Sequence, residues 1–354
     1  MSVDVPFWRN KRVLVTGHTG FKGSWLSLWL HWLGAKTTGY ALPPPTTPSL
    51  FVETRVADTL DSHFGDICNY NSVIKLMKKA DPEIIFHLAA QPLVRESYAQ
   101  PLETYSTNVM GAAHVLEAAR HLTHLRAIIV VTTDKCYENL EVGRPFSETD
   151  PLGGADPYSA SKACAEIVAA SYRESFFASS ELVGLATVRA GNVIGGGDFA
   201  NDRIVPDIIR AWQDGTEVSL RNPHAVRPWQ DVLEPIGGYL LLAEKLWTSP
   251  KKYSEAYNFG PPSDDCREVG ELADMLCNKL KTNWHRDLSI QPKEAGYLRL
   301  NSEKAVKMLG WRQVFTFDET IDSIAKFAEA MRSNQDLRFL CMERIDEYER
   351  RQKV

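Results

Sequence analysis

The sequence predicts an α/β protein, a doubly wound parallel sheet with a smaller, mainly C-terminal lobe, and three observations carry that expectation. Short apolar runs alternate with longer helical patterns from Arg12 onward, as in parallel strands covered by crossover helices. The first run opens directly into the glycine turn Gly17-His18-Thr19-Gly20-Phe21-Lys22-Gly23, and a helical pattern follows at once. The length of 354 residues exceeds one typical domain, so a second, smaller unit is expected.

Strands are expected over 12–16, 36–40, 84–88 and 127–132, with helices at 24–33, 71–79, 104–121 and 158–175 filling the gaps. Two more strands follow, one at 182–189 with β-rich composition and one at 257–259 that Gly260-Pro261-Pro262 closes. Beyond them 267–280, 302–309 and 317–330 have helical periodicity, while the connections become irregular and rich in Pro and Trp. The sheet domain is therefore placed at 1–189 with a return segment near 228–259, and the second lobe at 190–227 and 260–354. Residues 43–48, Pro-Pro-Pro-Thr-Thr-Pro, read as an exposed extended loop, because sheet-like pattern resumes after them.

A composition of 44% hydrophobic and 24% charged residues is ordinary for a soluble globular protein. The formal charge of −5 provides no global basic field, which argues against nucleic acid or an anionic membrane as the main partner. An anionic ligand must then be held locally. Cys68, Cys136, Cys164, Cys266, Cys277 and Cys341 form no CxxC pair and no metal-ligand spacing, so reduced thiols and no metal are expected. The opening Met1-Ser2-Val3-Asp4-Val5-Pro6 lacks a basic region followed by an apolar core, and no apolar run approaches the ~20 residues that span a bilayer. A cytoplasmic protein is expected.

Glycine permits a tight turn and close backbone approach, and the helix that follows offers unpaired N–H groups and a positive dipole end to a diphosphate. Gly17, Thr19, Gly20, Phe21 and Gly23 thus make the turn of a Rossmann-type dinucleotide-binding unit. The same glycines could serve only to pack strand on helix. Lys22 precedes Gly23 rather than following it, so this is not the phosphate loop of the NTPases. An acid that takes the ribose hydroxyls is expected ~20 residues on, yet 38–43 holds neither acid nor arginine, which leaves NAD against NADP open. Asp66, followed by Ile67, could accept from the adenine amine or could be a strand-end turn aspartate. Ala89 and Ala90 are small enough for a cofactor to lie over, or are small for tight core packing.

Tyr158 and Lys162 are four residues apart on an expected helix, a spacing that stacks them on one face. A neighbouring cation favours the charged form of an acid, so a phenol beside an ammonium could act as a base in alcohol oxidation. An exposed helical Tyr and Lys pair has the same spacing.

Gly17xxGly20xxGly23, His87-Leu88-Ala89-Ala90-Gln91, Asn108, Thr132-Thr133-Asp134-Lys135, Tyr158xxxLys162 and Arg189xxAsn192 occur in this order. The set resembles the extended short-chain dehydrogenase/reductase family across nearly the whole chain. Within it the pattern resembles the nucleotide-sugar 4,6-dehydratases, which carry Thr-Asp-Glu after the fifth strand where this chain has Thr133-Asp134-Lys135. Lysine in place of the glutamate, with His18 and Lys22 in the glycine turn, resembles the branch that acts on CDP-glucose.

The resemblance implies NAD as cofactor and a reaction in three stages: oxidation at C4, loss of the C6 hydroxyl with the C5 proton, and return of the hydride to C6. Tyr158 would remove the C4 hydroxyl proton, Lys162 would lower the phenol's pKa and hold the nicotinamide ribose, and Thr133 would hydrogen-bond the C4 oxygen unless it only caps a turn. Asn108 would brace helix and strand. Asp134 would protonate the leaving hydroxyl, which requires the neutral acid, and Lys135 would take the C5 proton as the neutral amine unless it is a solvated strand-end lysine. Consecutive residues of a strand point to opposite faces, so both can serve only if the strand has ended and turned.

The family holds its sugar nucleotide with residues at Asn192, Arg203, Arg227 and Arg299, the last within 294–300; each could instead be a surface residue or an ion-pair partner. Apolar residues on more than one face of 104–121 and 158–175, among them Val109, Val115, Leu116, Ile167 and Val168, are met by core packing or by the four-helix bundle through which relatives form a homodimer or homotetramer. The competing expectations are a 4,6-dehydratase for another nucleotide sugar, a nucleotide-sugar 4-epimerase, and a cofactor-binding scaffold without catalysis.

Overall fold

Strands covered by helices on both faces read as unbroken apolar runs rather than as alternating ones, and this chain obeys that rule. The computed structural model describes residues 2–139, 143–262, 265–287 and 298–353. Its main strands are β1 (Arg12–Thr16), β2 (Lys36–Ala41), β3 (Asp61–Phe64), β4 (Ile84–His87), β5 (Ala127–Val131), β6 (Gly184–Ala190) and β7 (Ala256–Phe259). They form one sheet in the order β3-β2-β1-β4-β5-β6-β7, and every pairing is parallel. Every residue of β4, β5 and β6 is buried. The winding reverses between β1 and β4, and the crevice beyond the carboxyl ends of such a pair is where doubly wound sheets take ligands. Thr16, the last residue of β1, lies opposite Tyr40 of β2 and His87 of β4.

The edge strand β3 was not expected. Its Asp61-Ser62-His63-Phe64 is polar, half-exposed and hydrogen-bonded to β2 on one side, so no apolar run marks it.

The main helices are α1 (Phe21–Trp32), α2 (Tyr70–Ala80), α3 (Gly111–Ala119), α4 (Pro157–Tyr172), α5 (Ile204–Asp214), α6 (Leu233–Thr248), α7 (Val269–Leu280), α8 (Phe317–Arg332) and α9 (Leu337–Gln352). The expected helix at 104–121 is three pieces: Pro101–Tyr105, a π-helical turn Ser106–Met110, and α3. A second π-helical turn, Arg173–Phe177, extends α4. Such turns interrupt the α ladder and are frequent at functional positions; the first one carries Asn108.

α1 is buried nearly all round because α9 covers it. The Trp29 and Tyr348 rings meet edge to face at 5.0 Å, and Trp29 Nε1 donates to Glu349 Oε1 at 2.9 Å. α9 escaped the sequence reading since charged residues flood it, yet Leu337, Cys341, Ile345 and Tyr348 follow one helical stripe and all are buried. Glu234, fully buried at the start of α6, fixes the same region by accepting from the backbone N–H of Phe315 at 2.8 Å and from the Tyr348 hydroxyl at 3.2 Å. Burial pushes its carboxyl well above the usual range.

A separate apolar cluster joins Val205, Ile208 and Ile209 of α5 with Leu272 and Leu276 of α7 and Ile321 and Ile324 of α8. Between this cluster and the sheet run two short strand pairs. Val193–Ile194 pairs with Gln230–Asp231, and Val226–Pro228 pairs with Cys266–Glu268. They carry the chain past the carboxyl ends of β5 and β6. The loop at 43–48 is largely exposed, and all six cysteines are free.

Ile129 is fully buried at the centre of β5. Ile129→Ala is expected to destabilise the chain by about 2–5 kcal/mol in urea unfolding, since the surrounding strands cannot collapse into the space.

Candidate active site

Gly17 lies just past β1 with φ +77°, in the left-handed region, and its N–H donates to the Tyr40 carbonyl at 2.9 Å. A Cβ on Gly17 would lie 2.7 Å from the Ala89 nitrogen, and a Cβ on Gly23 would lie 2.0 Å from the Gly17 carbonyl oxygen. Both positions therefore need glycine to pack β1, the loop after β4 and α1 together. Gly20 differs, because its Cβ would meet only the Gly17 oxygen at 3.4 Å. The missing side chain there opens a cradle rather than relieving a clash. Gly20 is also the N-cap of α1 and provides no side-chain cap, which leaves the first-turn N–H groups for an anionic ligand. Thr19 Oγ1 pins the turn to the end of β2 by donating to the Leu42 carbonyl at 2.9 Å. This arrangement, with Phe21 as the first residue of α1, fits a dinucleotide diphosphate.

Where a ribose-binding acid is usual, the His18 ring packs over Gly39, whose Cβ would lie 2.4 Å from the ring. His18 Nε2 hydrogen-bonds Ser62 Oγ at 2.8 Å, and burial holds the imidazole down to about 4. The end of β2 is thus met by a neutral ring. Asp66 Oδ1 accepts from the Cys68 N–H at 2.8 Å, the contact of a strand-end turn. Ile67 is buried against Gly111, where a Cβ would come within 2.7 Å of it. Ala89, followed by Ala90, lies on the loop that crosses Gly17, and the N–H of Ala89 donates to Thr16 Oγ1 at 3.2 Å. Asn108 braces this loop to α4. It accepts from the Gln91 N–H at 2.8 Å, and its amide donates to the Gln91 carbonyl at 3.0 Å and to Ser161 Oγ at 2.8 Å.

β5 ends at Val131, and Asp134–Cys136 forms a single 3₁₀ turn. The condition set by the sequence is met: Asp134 and Lys135 are off the strand. Thr133 caps the turn, its Oγ1 accepting from the Lys135 N–H at 3.4 Å and donating to Asp134 Oδ1 at 3.0 Å. The other carboxylate oxygen of Asp134, Oδ2, is buried without a hydrogen-bond partner among the described residues. It faces Gly191, whose Cβ would lie 3.2 Å away. Lys135 is half-buried, and its side chain makes no hydrogen bond or ion pair among the described residues.

Tyr158 and Lys162 are buried in the first turns of α4. Lys162 Nζ donates to the Val131 carbonyl at 3.1 Å, which holds it at the end of β5. Burial pulls its ammonium down to about 8, against the opposing charges of Glu166 and Cys136. Burial also pushes the Tyr158 phenol up to about 12, against the pull of the Thr133 hydroxyl and the Arg203 charge. The phenol therefore lies above its ordinary value in the chain by itself, where the sequence led us to expect it below. The reason is that removing a phenolate from water costs more than the Thr133 hydroxyl and the Arg203 charge return.

Arg203, at the N-terminus of α5, pairs with Asp198 at 2.9 Å, and its charge reaches Tyr158. Arg227 is buried and donates to its neighbour's carbonyl, Val226 O, at 3.1 Å. The Asn192 carbonyl accepts from the Gln230 N–H at 3.1 Å. These two are the chain neighbours of Pro228 and Gly191, and a Cβ on Gly191 would lie 2.5 Å from Pro228 Cγ and 3.2 Å from Asp134 Oδ2. The Arg299 carbonyl accepts from the Phe146 N–H at 2.9 Å; the 294–297 part of its predicted segment lies outside the described residues.

Two site residues escaped the list drawn from sequence. Lys22 in the glycine turn is pulled down to about 7 by burial and by the charges of Arg203 and Lys162, with Asp134 opposing. Its position inside the glycine turn was the available signal. Glu166, one helical turn beyond Lys162, forms a buried ion pair with Arg189 at 2.8 Å; the i+4 spacing from Lys162 marks it.

A family model described as GDP-mannose 4,6 dehydratase matches residues 14–324. The chain belongs to this family. It is 47% identical to a CDP-glucose 4,6-dehydratase of Salmonella typhimurium (strain LT2) over 98% of each chain. A human dTDP-D-glucose 4,6-dehydratase is 27% identical over 73% of this chain and 71% of its own. Among solved structures, a dTDP-glucose 4,6-dehydratase from Bacillus anthracis in complex with NAD superposes with a TM-score of 0.75 at 20% identity, covering 91% of this chain and 98% of its own. A UDP-glucuronic acid 4-epimerase from Bacillus cereus, in complex with UDP-glucuronic acid and NAD, gives 0.78 at 20% identity over 90% and 99%. These two likenesses establish the doubly wound fold for this family member.

Lys22 offers a thermodynamic check. Its folded value of about 7 lies below the ordinary lysine value of 10.5, so below pH 7 the folded chain must carry, on a half-buried side chain, a charge that the unfolded chain solvates freely. That penalty is full below the folded value and disappears above the unfolded one. Lys22→Met is expected to raise the melting temperature of the cofactor-free protein by ~2–4 °C at pH 6, and the gain should shrink as the pH approaches 10.

Proposed function

We propose that the chain is an NAD-dependent hydro-lyase that converts CDP-D-glucose to CDP-4-dehydro-6-deoxy-D-glucose and water. The observation that carries this reading is the turn bearing Asp134 and Lys135 beside Tyr158 and Lys162, in a chain 47% identical end to end to a CDP-glucose 4,6-dehydratase. Fold likeness to an epimerase does not weigh against it, because an epimerase needs no acid and base for water loss.

NAD, when bound, supplies the acceptor for the C4 hydride and the donor that returns it to C6. The Gly20 cradle and the uncapped end of α1 would hold its diphosphate, with Gly17, Thr19, Phe21 and Gly23 shaping the turn and Asp66, Ile67, Ala89, Ala90 and Asn108 lining the rest of its path. Lys162 would reach the ribose from its place at the Val131 carbonyl.

The chain's own residues then divide the proton work. Tyr158 would take the C4 hydroxyl proton while Thr133 hydrogen-bonds the same oxygen. The C4 ketone acidifies C5, and Lys135 as the free amine would take that proton and, as the ammonium so formed, return one to C5 when the hydride reaches C6. Asp134 would give a proton to the departing C6 hydroxyl, which leaves as water. Its Oδ1 already accepts from Thr133, so Oδ2, buried and unpartnered among the described residues, is the oxygen placed to carry that proton. Asn192, Arg203, Arg227 and Arg299 would answer the nucleotide diphosphate. In this reading residues 1–189 and 228–259 serve the cofactor, and 190–227 and 260–354 serve the sugar nucleotide.

A homodimer is part of the same proposal. Val115 and Leu116 are spent in the core, but Ile167 remains 57% exposed and Leu102 85% exposed, with Tyr98, Met110 and Phe176 also exposed. These residues would be covered by a second copy through a four-helix bundle, and light scattering should give twice the chain mass. No helix among the described residues is long and apolar enough to cross a membrane, and we place the enzyme in the cytoplasm.

Incubation with NAD and, separately, CDP-glucose, dTDP-glucose, UDP-glucose and GDP-mannose is expected to release one water from the CDP sugar alone, seen by mass, without NADH build-up. An isomeric product of unchanged mass would instead mark an epimerase, and no turnover a scaffold. Lys135→Ala should lower the exchange of C5 hydrogen with solvent deuterium by about 10²–10⁴; exchange at the native rate would remove Lys135 as the base.

A further inference from the structure

The turn that carries Thr133, Asp134 and Lys135 is anchored at both ends to the same buried ion pair. At its start, Thr132 Oγ1 donates to Glu166 Oε1. At its finish, the Tyr137 hydroxyl accepts from Arg189 Nη1 at 2.7 Å. Glu166 and Arg189 are joined to each other at 2.8 Å, with side chains only 3% and 4% exposed. Thr187 adds a third donor to Glu166 at 2.7 Å. Burial alone would raise the Glu166 carboxyl, but Arg189 and the two threonine hydroxyls outweigh it and hold it below the usual range. The far anchor is itself fixed. Tyr137 stacks on Phe146 at 4.8 Å between ring centroids, and its hydroxyl donates to Asn258 Oδ1 at 2.7 Å.

A loop with this many restraints at its two ends, and few along its span, has its geometry set from the ends. The span itself is held by Thr133 capping the turn and by the burial of Cys136. A buried pair is a poor source of net stability, because the attraction does little more than offset the lost hydration. What this one provides is direction: the rigid fork of Arg189 reaches Glu166 with one nitrogen and Tyr137 with the other.

We propose that the Glu166–Arg189 pair is a positioning device for the elimination step, holding Asp134 and Lys135 at the substrate by clamping Thr132 and Tyr137 on either side of them. The proposal rests on the dehydratase reading above. Tyr158 and Lys162 sit on α4 and are placed by other contacts, Tyr158 through its backbone N–H to Ser97 Oγ at 3.1 Å and Lys162 through Val131. Releasing the Tyr137 end should therefore disturb the acid and base of water loss more than the residues of alcohol oxidation.

Tyr137→Phe tests this, since it keeps the ring stack and removes the hydroxyl that Arg189 grips. Arg189→Lys is the second variant, keeping a cation for Glu166 but not the fork. Single turnovers with NAD and CDP-glucose are followed by NADH absorbance for C4 oxidation and by loss of water and uptake of solvent deuterium at C5 for elimination. In both variants oxidation is expected to stay within about 2-fold of wild type while elimination slows roughly 10–100-fold, so that NADH, transient in wild type, accumulates. A purely structural role would lower the active fraction and reduce both steps together; that result, or unchanged elimination in Tyr137→Phe, overturns the proposal. Failure of the wild-type chain to dehydrate CDP-glucose would overturn the dehydratase reading itself, and is seen before either variant is compared.

Discussion

A β-strand cannot aim two consecutive side chains at one face, and Asp134 and Lys135 are consecutive. The site depends on how that constraint is met. β5 stops at Val131, the chain turns once through Asp134–Cys136, and Thr133 caps the turn with its own hydroxyl. The stop has a second effect, because the terminal carbonyl of β5 takes Lys162 Nζ. One strand end thus holds Lys162 and takes Asp134 and Lys135 off the strand. Moving the end by a single residue would undo both.

The electrostatic theme of the site is burial working against charge. Lys22 and Lys162 are drawn down to about 7 and about 8, while Tyr158 is pushed up to about 12. All three are shifted toward their neutral forms. The two lysines are thereby brought near the pH at which an amine changes protonation at little cost, whereas the Tyr158 phenol, pushed up, gives its proton less readily in the cofactor-free chain. Arg203, paired with Asp198, remains firmly charged.

What could be read from the sequence follows how local each feature is. β1, β4 and β5 declared themselves as apolar runs because helices cover both their faces, and the glycine turn did so because Gly17 and Gly23 have no steric alternative. Tyr158 and Lys162 were found by helical spacing. The edge strand β3 was hidden by its polarity, and α9 by a charged exterior that masks a narrow buried stripe. Spacing reveals a cation next to Tyr158, but only the fold reveals that the phenol is buried and that burial pushes it up in the chain by itself. Glu166 lay in plain sight at i+4 from Lys162 on α4, yet its partner Arg189 comes from strand β6, and no local pattern joins them.

The docking of α9 on α1 has a consequence for how the protein is made. Trp29 and its partner Glu349 are 320 positions apart, so the tryptophan-rich face of α1 leaves the ribosome long before the helix that covers it exists. At ~5–20 residues per second the interval is on the order of tens of seconds. Throughout that time the nascent sheet carries an uncovered aromatic surface beside the very turn that grips the diphosphate. The helix that closes α1 is therefore made long after it, and α1 reaches its final packing only once α9 has emerged.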